Sequence, residues 1–341
     1  MKVARLYDAS DIRFEEEPLP QVGPGEALVK TKVCGICSGD IMGWYMKKKA
    51  PVVFGHEPAG EVVEIGAGVT DFQPGDRVFV HHHAPCFSCR LCQRGEFVQC
   101  ATWRSSRIIP GGMAEYFLVP RENLAGDTLR LPRDLSFADG SLIEPAACVV
   151  KSLRRARLQA GARILIIGLG IMGQLHVALA RHAGAEQIMA TDFIPYRREK
   201  ALQLGADIVI DPAAGNIEEM VKEHTNGDMA EVVIVGPGSI EAMELGVCCA
   251  ARGGSVVLFT TSMPKAVLNV LPYELYFREI SIVPSYSCGP NDTREAFRLI
   301  RDGIVTADQF ITHRFPFVSL HEAYRNAAAA QDSIKTVVEF S

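Results

Sequence analysis

The chain has 341 residues, 48% of them hydrophobic and 22% charged, which supplies enough apolar side chains for two cores and argues against disorder. A formal net charge of −5 and a pI near 6.0 exclude the basic surface that neutralising a polyanion requires, so no nucleic-acid partner is expected. Met1-Lys2-Val3-Ala4 runs straight into strand-like sequence without the regions of a secretory signal, and the most apolar stretch, 164–180, is broken by Gly168, Gly170, Gly173 and His176; the expectation is a cytoplasmic chain with no membrane span.

Residues 1–147 carry short alternating segments at 26–33, 59–65 and 77–80, separated by turns such as Val22-Gly23-Pro24-Gly25 and Gln73-Pro74-Gly75-Asp76. This pattern predicts a mostly β, barrel-like domain. The Lys47-Lys48-Lys49 run reads as a solvated loop. His81-His82-His83 invites a metal reading, but consecutive residues on a strand alternate faces, so the three cannot all serve one ion, and at most one or two face a cleft. Cys86, Cys89, Cys92 and Cys100 follow as C-x2-C-x2-C-x7-C in a turn-rich stretch. Such spacing lets four thiolates converge tetrahedrally on zinc at about 2.3 Å, and a shell closed by four sulfurs has no position for substrate. The ion is expected to be structural and to contribute to folding. In an intracellular chain, cysteines clustered this way bind metal more readily than they form disulfides.

From residue 163 the texture changes. Segments 164–167, 187–190, 208–210, 231–235, 255–259 and 280–284 read as buried strands with helical patterns between them, which predicts a parallel, doubly wound sheet. Directly after the first comes Gly168-Leu169-Gly170-Ile171-Met172-Gly173 and an apolar helical run. The first glycine permits the tight turn, the second lets backbone approach a pyrophosphate, and the third lets helix and strand pack closely. The free N–H groups of the helix start, at Ile171 and Met172, then meet the phosphates. Asp192 lies 19 positions beyond Gly173, where a carboxylate accepts hydrogen bonds from ribose hydroxyls and repels a 2'-phosphate. This favours NAD over NADP; Arg197-Arg198 is the competing feature, since nearby arginines accommodate that phosphate. A helix at 293–302 and a strand at 335–340 complete the chain, with the tail expected to rejoin the first domain. No repeat of fixed period is present, and Ala327 to Ala330 fits a helix end.

A second set of ligand-type residues is scattered: Cys37 within Cys34-Gly35-Ile36-Cys37-Ser38-Gly39-Asp40, His56 and Glu57 after Gly55, and Glu144 before Pro145. Singly, each reads as structural. Together with Gly55-His56-Glu57-Pro58-Ala59-Gly60, the cysteine lobe, Gly111-Gly112-Met113-Ala114-Glu115-Tyr116, Glu144-Pro145 and the nucleotide turn, in that order, they resemble the zinc-dependent medium-chain dehydrogenases of the alcohol dehydrogenase family over nearly the whole chain. The likeness is closest to the sorbitol and threonine dehydrogenase branch, in which a glutamate stands at the position of Glu144.

That resemblance implies a GroES-like catalytic domain at 1–147, a Rossmann domain at 148–284 and a C-terminal segment, 285–341, returning to the first, with the active site in the cleft between them. It makes Cys37 and His56 ligands of a catalytic zinc, with Glu57 and Glu144 contributing directly, through water, or in exchange, and Asp40 orienting the histidine. One vacant coordination position would take the alcohol oxygen. Two zinc ions per chain and NAD are the implied cofactors, a secondary alcohol or polyol the implied substrate, and a homodimer or homotetramer the implied assembly. Zinc would acidify the substrate hydroxyl while hydride passes to nicotinamide.

The pattern also departs from the family. Gly39 and Met42 stand where many members carry a proton relay, and neither side chain carries a proton. Ser38, a glutamate-held water or Lys151 are the substitutes this chain offers. Trp44, Tyr45, Arg104, Arg107 and Tyr286 fall where the family lines its cleft. The Lys47–Lys49 run would suit an anionic hydroxy substrate bearing phosphate, carboxylate or CoA. The rival from another class is a zinc- and nucleotide-binding sensor without turnover; Cys37, His56 and Glu144 oppose it, because a scaffold needs no open metal site. A metal-free quinone reductase of the same fold would lack both ligand sets.

Overall fold

The structure, a computed structural model, describes residues 1–8 and 11–341. The chain divides into two compact units: Met1–Ala147 together with Cys288–Ser341, and Cys148–Ser287.

The first unit is built on a seven-stranded sheet. Its path runs Ile311–Pro316, Lys335–Glu339, Ala27–Gly35, Glu57–Ile65, Arg77–Val80, Thr128–Arg130, and Tyr116–Val119 pairs off this path with Ala27–Gly35. All pairings are antiparallel except that between Ile311–Pro316 and Lys335–Glu339. Alternation places Ala27, Val29, Val62, Val78, Val80, Phe117 and Val119 in one core, as period-two patterning requires. Gly60 is forced by a close crossing, since a Cβ there would strike the Lys30 carbonyl oxygen. A smaller sheet of Asp11–Glu16, Lys2–Asp8 and Val52–Val53 covers a second core that includes Leu6, Cys34, Ile36, Phe54 and Val338.

Register carries the functional consequence. Gly35 pairs with Glu57 and Val337 with Gly35, so the ends of three strands meet and the Cys37 loop emerges beside His56. The tail therefore enters the first unit as a sheet strand, not as a surface strap.

The second unit is a six-stranded sheet, parallel throughout, in the order Ile208–Ile210, Gln187–Thr191, Arg163–Ile167, Ala230–Val235, Ala250–Leu258, Ser281–Pro284. That order is the doubly wound one, with the first strand in the middle. Ile164, Leu165 and Ile166 are fully buried, as expected of a strand covered on both faces. Two elements begin earlier than the sequence pattern suggests. Strand Ala250–Leu258 carries a register shift near its start, which hides its beginning from a strict two-residue period. Helix Pro290–Arg301 begins at a proline whose fixed φ suits a first helical position. Among the described residues no helix is long and apolar enough to cross a membrane.

Candidate active site

The cysteine lobe is a ready cage. The four Sγ atoms of Cys86, Cys89, Cys92 and Cys100 all lie within 4.8 Å of one another, with Cys89–Cys92 at 3.5 Å, Cys86–Cys100 at 3.6 Å and Cys86–Cys92 at 4.0 Å. A tetrahedron with Zn–S bonds of about 2.3 Å has an edge of about 3.8 Å, so the donor set fits a tetrathiolate ion. Backbone N–H groups of Cys89 and Cys86 donate to the sulfurs of Cys86 and Cys100, each at 3.4 Å. The Ser88 hydroxyl, with backbone N–H groups, brings the Cys86 thiol down to about 5, toward the thiolate a metal needs. All ten cysteines are free of disulfides.

A second donor set is open. Sγ of Cys37, a ring nitrogen of His56 and a carboxylate oxygen of Glu57 lie within 4.8 Å of one another. Asp40, buried behind them, sets two of the three: its Oδ2 accepts the Cys37 N–H at 3.1 Å, and its Oδ1 stands 3.4 Å from His56 Nδ1. With Nδ1 so engaged, Nε2 is left to bind an ion. Burial opposes a charge on His56, but Asp40 and Cys37 together hold its pKa well above the usual imidazole value. The same histidine keeps Asp40 below its ordinary range against the effect of burial. The Tyr324 hydroxyl donates to the Asp40 carbonyl at 3.0 Å and pins the loop.

Glu57 is fully buried and forms an ion pair with Lys335, which is equally buried and also donates to the Ile36 carbonyl at 3.0 Å. Burial raises the Glu57 pKa while Lys335 works against it. The pair uses Oε2 only. Oε1 is buried without a hydrogen-bond partner, an arrangement that costs free energy unless a cation completes it. Gly35 is glycine here because a Cβ would run into Glu57 Oε2. Lys335 went unread in the sequence; its signal was a lysine opening the apolar run Lys335-Thr336-Val337-Val338.

Glu144 lies near this set, where its charge raises the pKa of Glu57 and of Lys335, and one of its oxygens is within 4.8 Å of His81 and Cys288. The histidine triplet diverges as strand geometry requires. His81 Nδ1 meets Asp127 Oδ2 at 2.7 Å, the His82 ring centroid lies 6.3 Å from that of His56, and His83 Nδ1 meets the Ser106 carbonyl at 2.5 Å. Burial lowers His82 well below the usual value and His83 to about 3, so both stay neutral. Ser38 is exposed next to Cys37. Lys151 belongs to the second unit, where its Nζ donates to the Tyr286 carbonyl at 2.7 Å. Trp44 and Tyr45 are half-buried with Lys48 and Lys49 over their rings at 4.9 and 4.2 Å, so part of the exposed lysine run is held by cation–π contact. Arg104, Arg107 and Tyr286 are exposed.

In the second unit the glycine turn has the shape a dinucleotide needs. Gly168 has φ of 88°, and a Cβ on Gly173 would strike the Gly168 carbonyl oxygen. Around Gly170 the space is open, with nothing within 4 Å of a Cβ position. Helix Ile171–His182 starts at once, presenting the Ile171 and Met172 N–H groups. Asp192 Oδ2 accepts the Leu169 N–H at 2.7 Å and Oδ1 the Ile194 N–H at 2.9 Å, which ties the acid to the turn. Arg197 lies 3.6 Å from Asp192, and Arg198 pairs with Asp211 at 2.8 Å, so both arginines face acids.

Against known proteins, residues 23–128 match the alcohol dehydrogenase GroES-like domain family and residues 172–302 the zinc-binding dehydrogenase family. Sorbitol dehydrogenase of Bombyx mori is 32% identical over 94% of this chain and 93% of its own length. L-galactonate-5-dehydrogenase of Escherichia coli (strain K12) is 31% identical over 100% and 99%. Among solved structures, a zinc-binding dehydrogenase of Sinorhizobium meliloti 1021 bound to NADP superposes with a TM-score of 0.89 at 31% identity, covering 99% of this chain and 98% of that one. Galactitol-1-phosphate dehydrogenase of Escherichia coli superposes with a TM-score of 0.88 at 26% identity, covering 99% and 100%.

Proposed function

Because this chain belongs to the zinc-dependent medium-chain alcohol dehydrogenase family, we propose that it transfers hydride between a secondary alcohol or polyol and NAD at the centre formed by Cys37, His56 and Glu57. The observation that carries the reading is the orphaned Oε1 of Glu57, buried beside a thiol and an Asp40-oriented imidazole. A divalent ion held there supplies Lewis acidity toward the substrate oxygen, and bound nicotinamide exchanges the hydride. The protein's own part is to aim and charge-balance that centre. Asp40 fixes the His56 ring, Lys335 neutralises one oxygen of Glu57, and of the two glutamates Glu57 is the ligand. With Gly39 and Met42 inert, the exposed hydroxyl of Ser38 moves the substrate proton to solvent.

Residues Gly168, Gly170 and Gly173, with the Ile171 and Met172 amides, seat the pyrophosphate, and Asp192 binds the adenosine ribose. NAD is preferred because Asp192 is fixed in place by two backbone donors and occupies Arg197, the residue a 2'-phosphate would need. The chain assembles as a homo-oligomer through the edge of its parallel sheet, where Leu271, Tyr273, Tyr276 and Phe277 are exposed before edge strand Ser281–Pro284.

A second reading, an anionic hydroxy substrate, draws on the exposed Lys47–Lys49 run and on relatives named for a phosphorylated polyol and a sugar acid. One experiment separates the two. Metal-replete protein is assayed by nicotinamide absorbance on neutral polyols, polyol phosphates and sugar acids, each with NAD and NADP. Turnover greatest on a neutral polyol with NAD supports the proposal. Turnover confined to the charged substrates overturns its substrate class, and absence of turnover on the whole panel overturns the enzyme reading.

A further inference from the structure

Of the histidine triplet, two rings are engaged by hydrogen bonds and one is not. His81 Nδ1 meets Asp127 Oδ2 at 2.7 Å, and His83 Nδ1 meets the Ser106 carbonyl at 2.5 Å, with the Trp103 ring centroid 4.2 Å from that of His83. His82 between them turns elsewhere. Its ring centroid lies 6.3 Å from that of His56 at an interplanar angle of 61°, and 4.5 Å from that of His83. Its Nδ1 is buried and has no hydrogen-bond partner among the described residues.

The backbone around this ring is held on both sides. Asn123 Nδ2 donates to the carbonyls of His81 and His82 at 3.1 and 2.9 Å, and the His81 N–H donates to the Asp127 carbonyl at 3.0 Å. The N–H of Ala84, which follows the triplet, donates to the Ser106 hydroxyl at 2.9 Å. A polar group fixed in this way needs little further ordering to bind a ligand. Burial first, and then His83, His56, His81 and Lys49, oppose a charge on His82. A neutral imidazole carries one donor and one acceptor, which suits a hydroxyl, itself both, better than an anion.

We propose that His82 is a specificity-determining residue, whose ring hydrogen-bonds a second hydroxyl of the substrate on the carbon next to the one that reacts. The assignment rests on the reading of Cys37, His56 and Glu57 as the reaction centre, and it narrows the substrate class to alcohols with two adjacent hydroxyls. The observation that carries it is placement: an unsatisfied ring stands beside the histidine turned to the proposed ion. A site built to hydrogen-bond a hydroxyl rejects the analogue that lacks it, because its own polar group is then left unpaired.

The test pairs 2,3-butanediol with 2-butanol, which differ only in the second hydroxyl, on the metal-replete full chain with NAD. The wild type is expected to favour the diol at least tenfold in kcat/KM. His82→Phe, which keeps a ring and removes both nitrogens, brings that ratio close to one, mainly through the KM of the diol. His82→Gln restores a donor and an acceptor and recovers part of the preference, a pattern that a packing role alone would not produce. The readout without turnover is the nitrogen-15 resonance of the ring, identified by its loss in His82→Phe, on protein saturated with NADH: the diol shifts it and 2-butanol does not. Equal turnover of both alcohols by the wild type, a diol preference that His82→Phe leaves intact, or a ring resonance that the diol does not move overturns the role of His82 and leaves the reaction standing. Turnover of neither alcohol counts against the reaction centre, and the resonance then decides the role of His82 alone.

Discussion

The Glu57–Lys335 pair shows how much one distant side chain contributes to the proposed reaction centre. Removing the lysine strands a buried carboxylate, so Lys335→Met is expected to destabilise the chain by about 3–5 kcal/mol in urea unfolding. The double variant with Glu57→Gln recovers part of that loss, because the stranded charge is gone. His176 acts through a different balance. Its Nδ1 meets the Met172 carbonyl at 2.7 Å and its Nε2 the Ser152 hydroxyl at 2.6 Å, and burial pushes its pKa to about 4. Between about 4 and 6.5 the unfolded chain binds a proton that the folded chain refuses, so stability rises with pH across that window. His176 contributes fully above 6.5, and about 3 kcal/mol is lost on descending to pH 4, at roughly 1.4 kcal/mol per unit. His176→Gln flattens that part of the stability profile. For proton exit, Ser38→Ala shifts the pH dependence of kcat, and an unchanged profile removes Ser38 from the path.

At the scale of elements, the two glycines of the nucleotide turn separate folding from binding. Gly173→Ala places a methyl against the Gly168 carbonyl, so helix and strand must part, lowering thermal stability and NADH affinity together. Gly170→Ala meets nothing in the protein and sits at φ of −64°, so the melting temperature holds while NADH affinity falls at least tenfold, read by fluorescence titration. This strand, turn and helix were legible because each signal is local: an apolar run, glycines at fixed offsets and an acid one strand later. The cysteine lobe was legible for the same reason, with four cysteines inside 15 residues. Lys335 and Cys288 were not. The lysine meets Glu57 across 278 positions and the cysteine meets His81 across 207, and no short spacing encodes a contact made only by sheet register and chain return. The start of strand Ala250–Leu258 escaped through its irregular register.

For the whole molecule, the exposed aromatic residues before the edge strand are the feature that isolation in water explains least. Tyr276 is 76% exposed and Phe277 60%. Tyr276→Glu is expected to lower the mass seen by light scattering to that of a smaller assembly, while an unchanged mass would move the subunit contact elsewhere. The segmentation of the chain has a further consequence. The first unit is assembled from Met1–Ala147 and Cys288–Ser341, with an entire sheet domain translated in between. A ribosome therefore releases Cys37, His56 and Glu57 long before Lys335, and the inserted domain is free to fold as a unit in the interval. Until strand Lys335–Glu339 joins the sheet, the Glu57 carboxylate has no lysine counter-charge, and the buried pair closes only when both segments of the first unit are present.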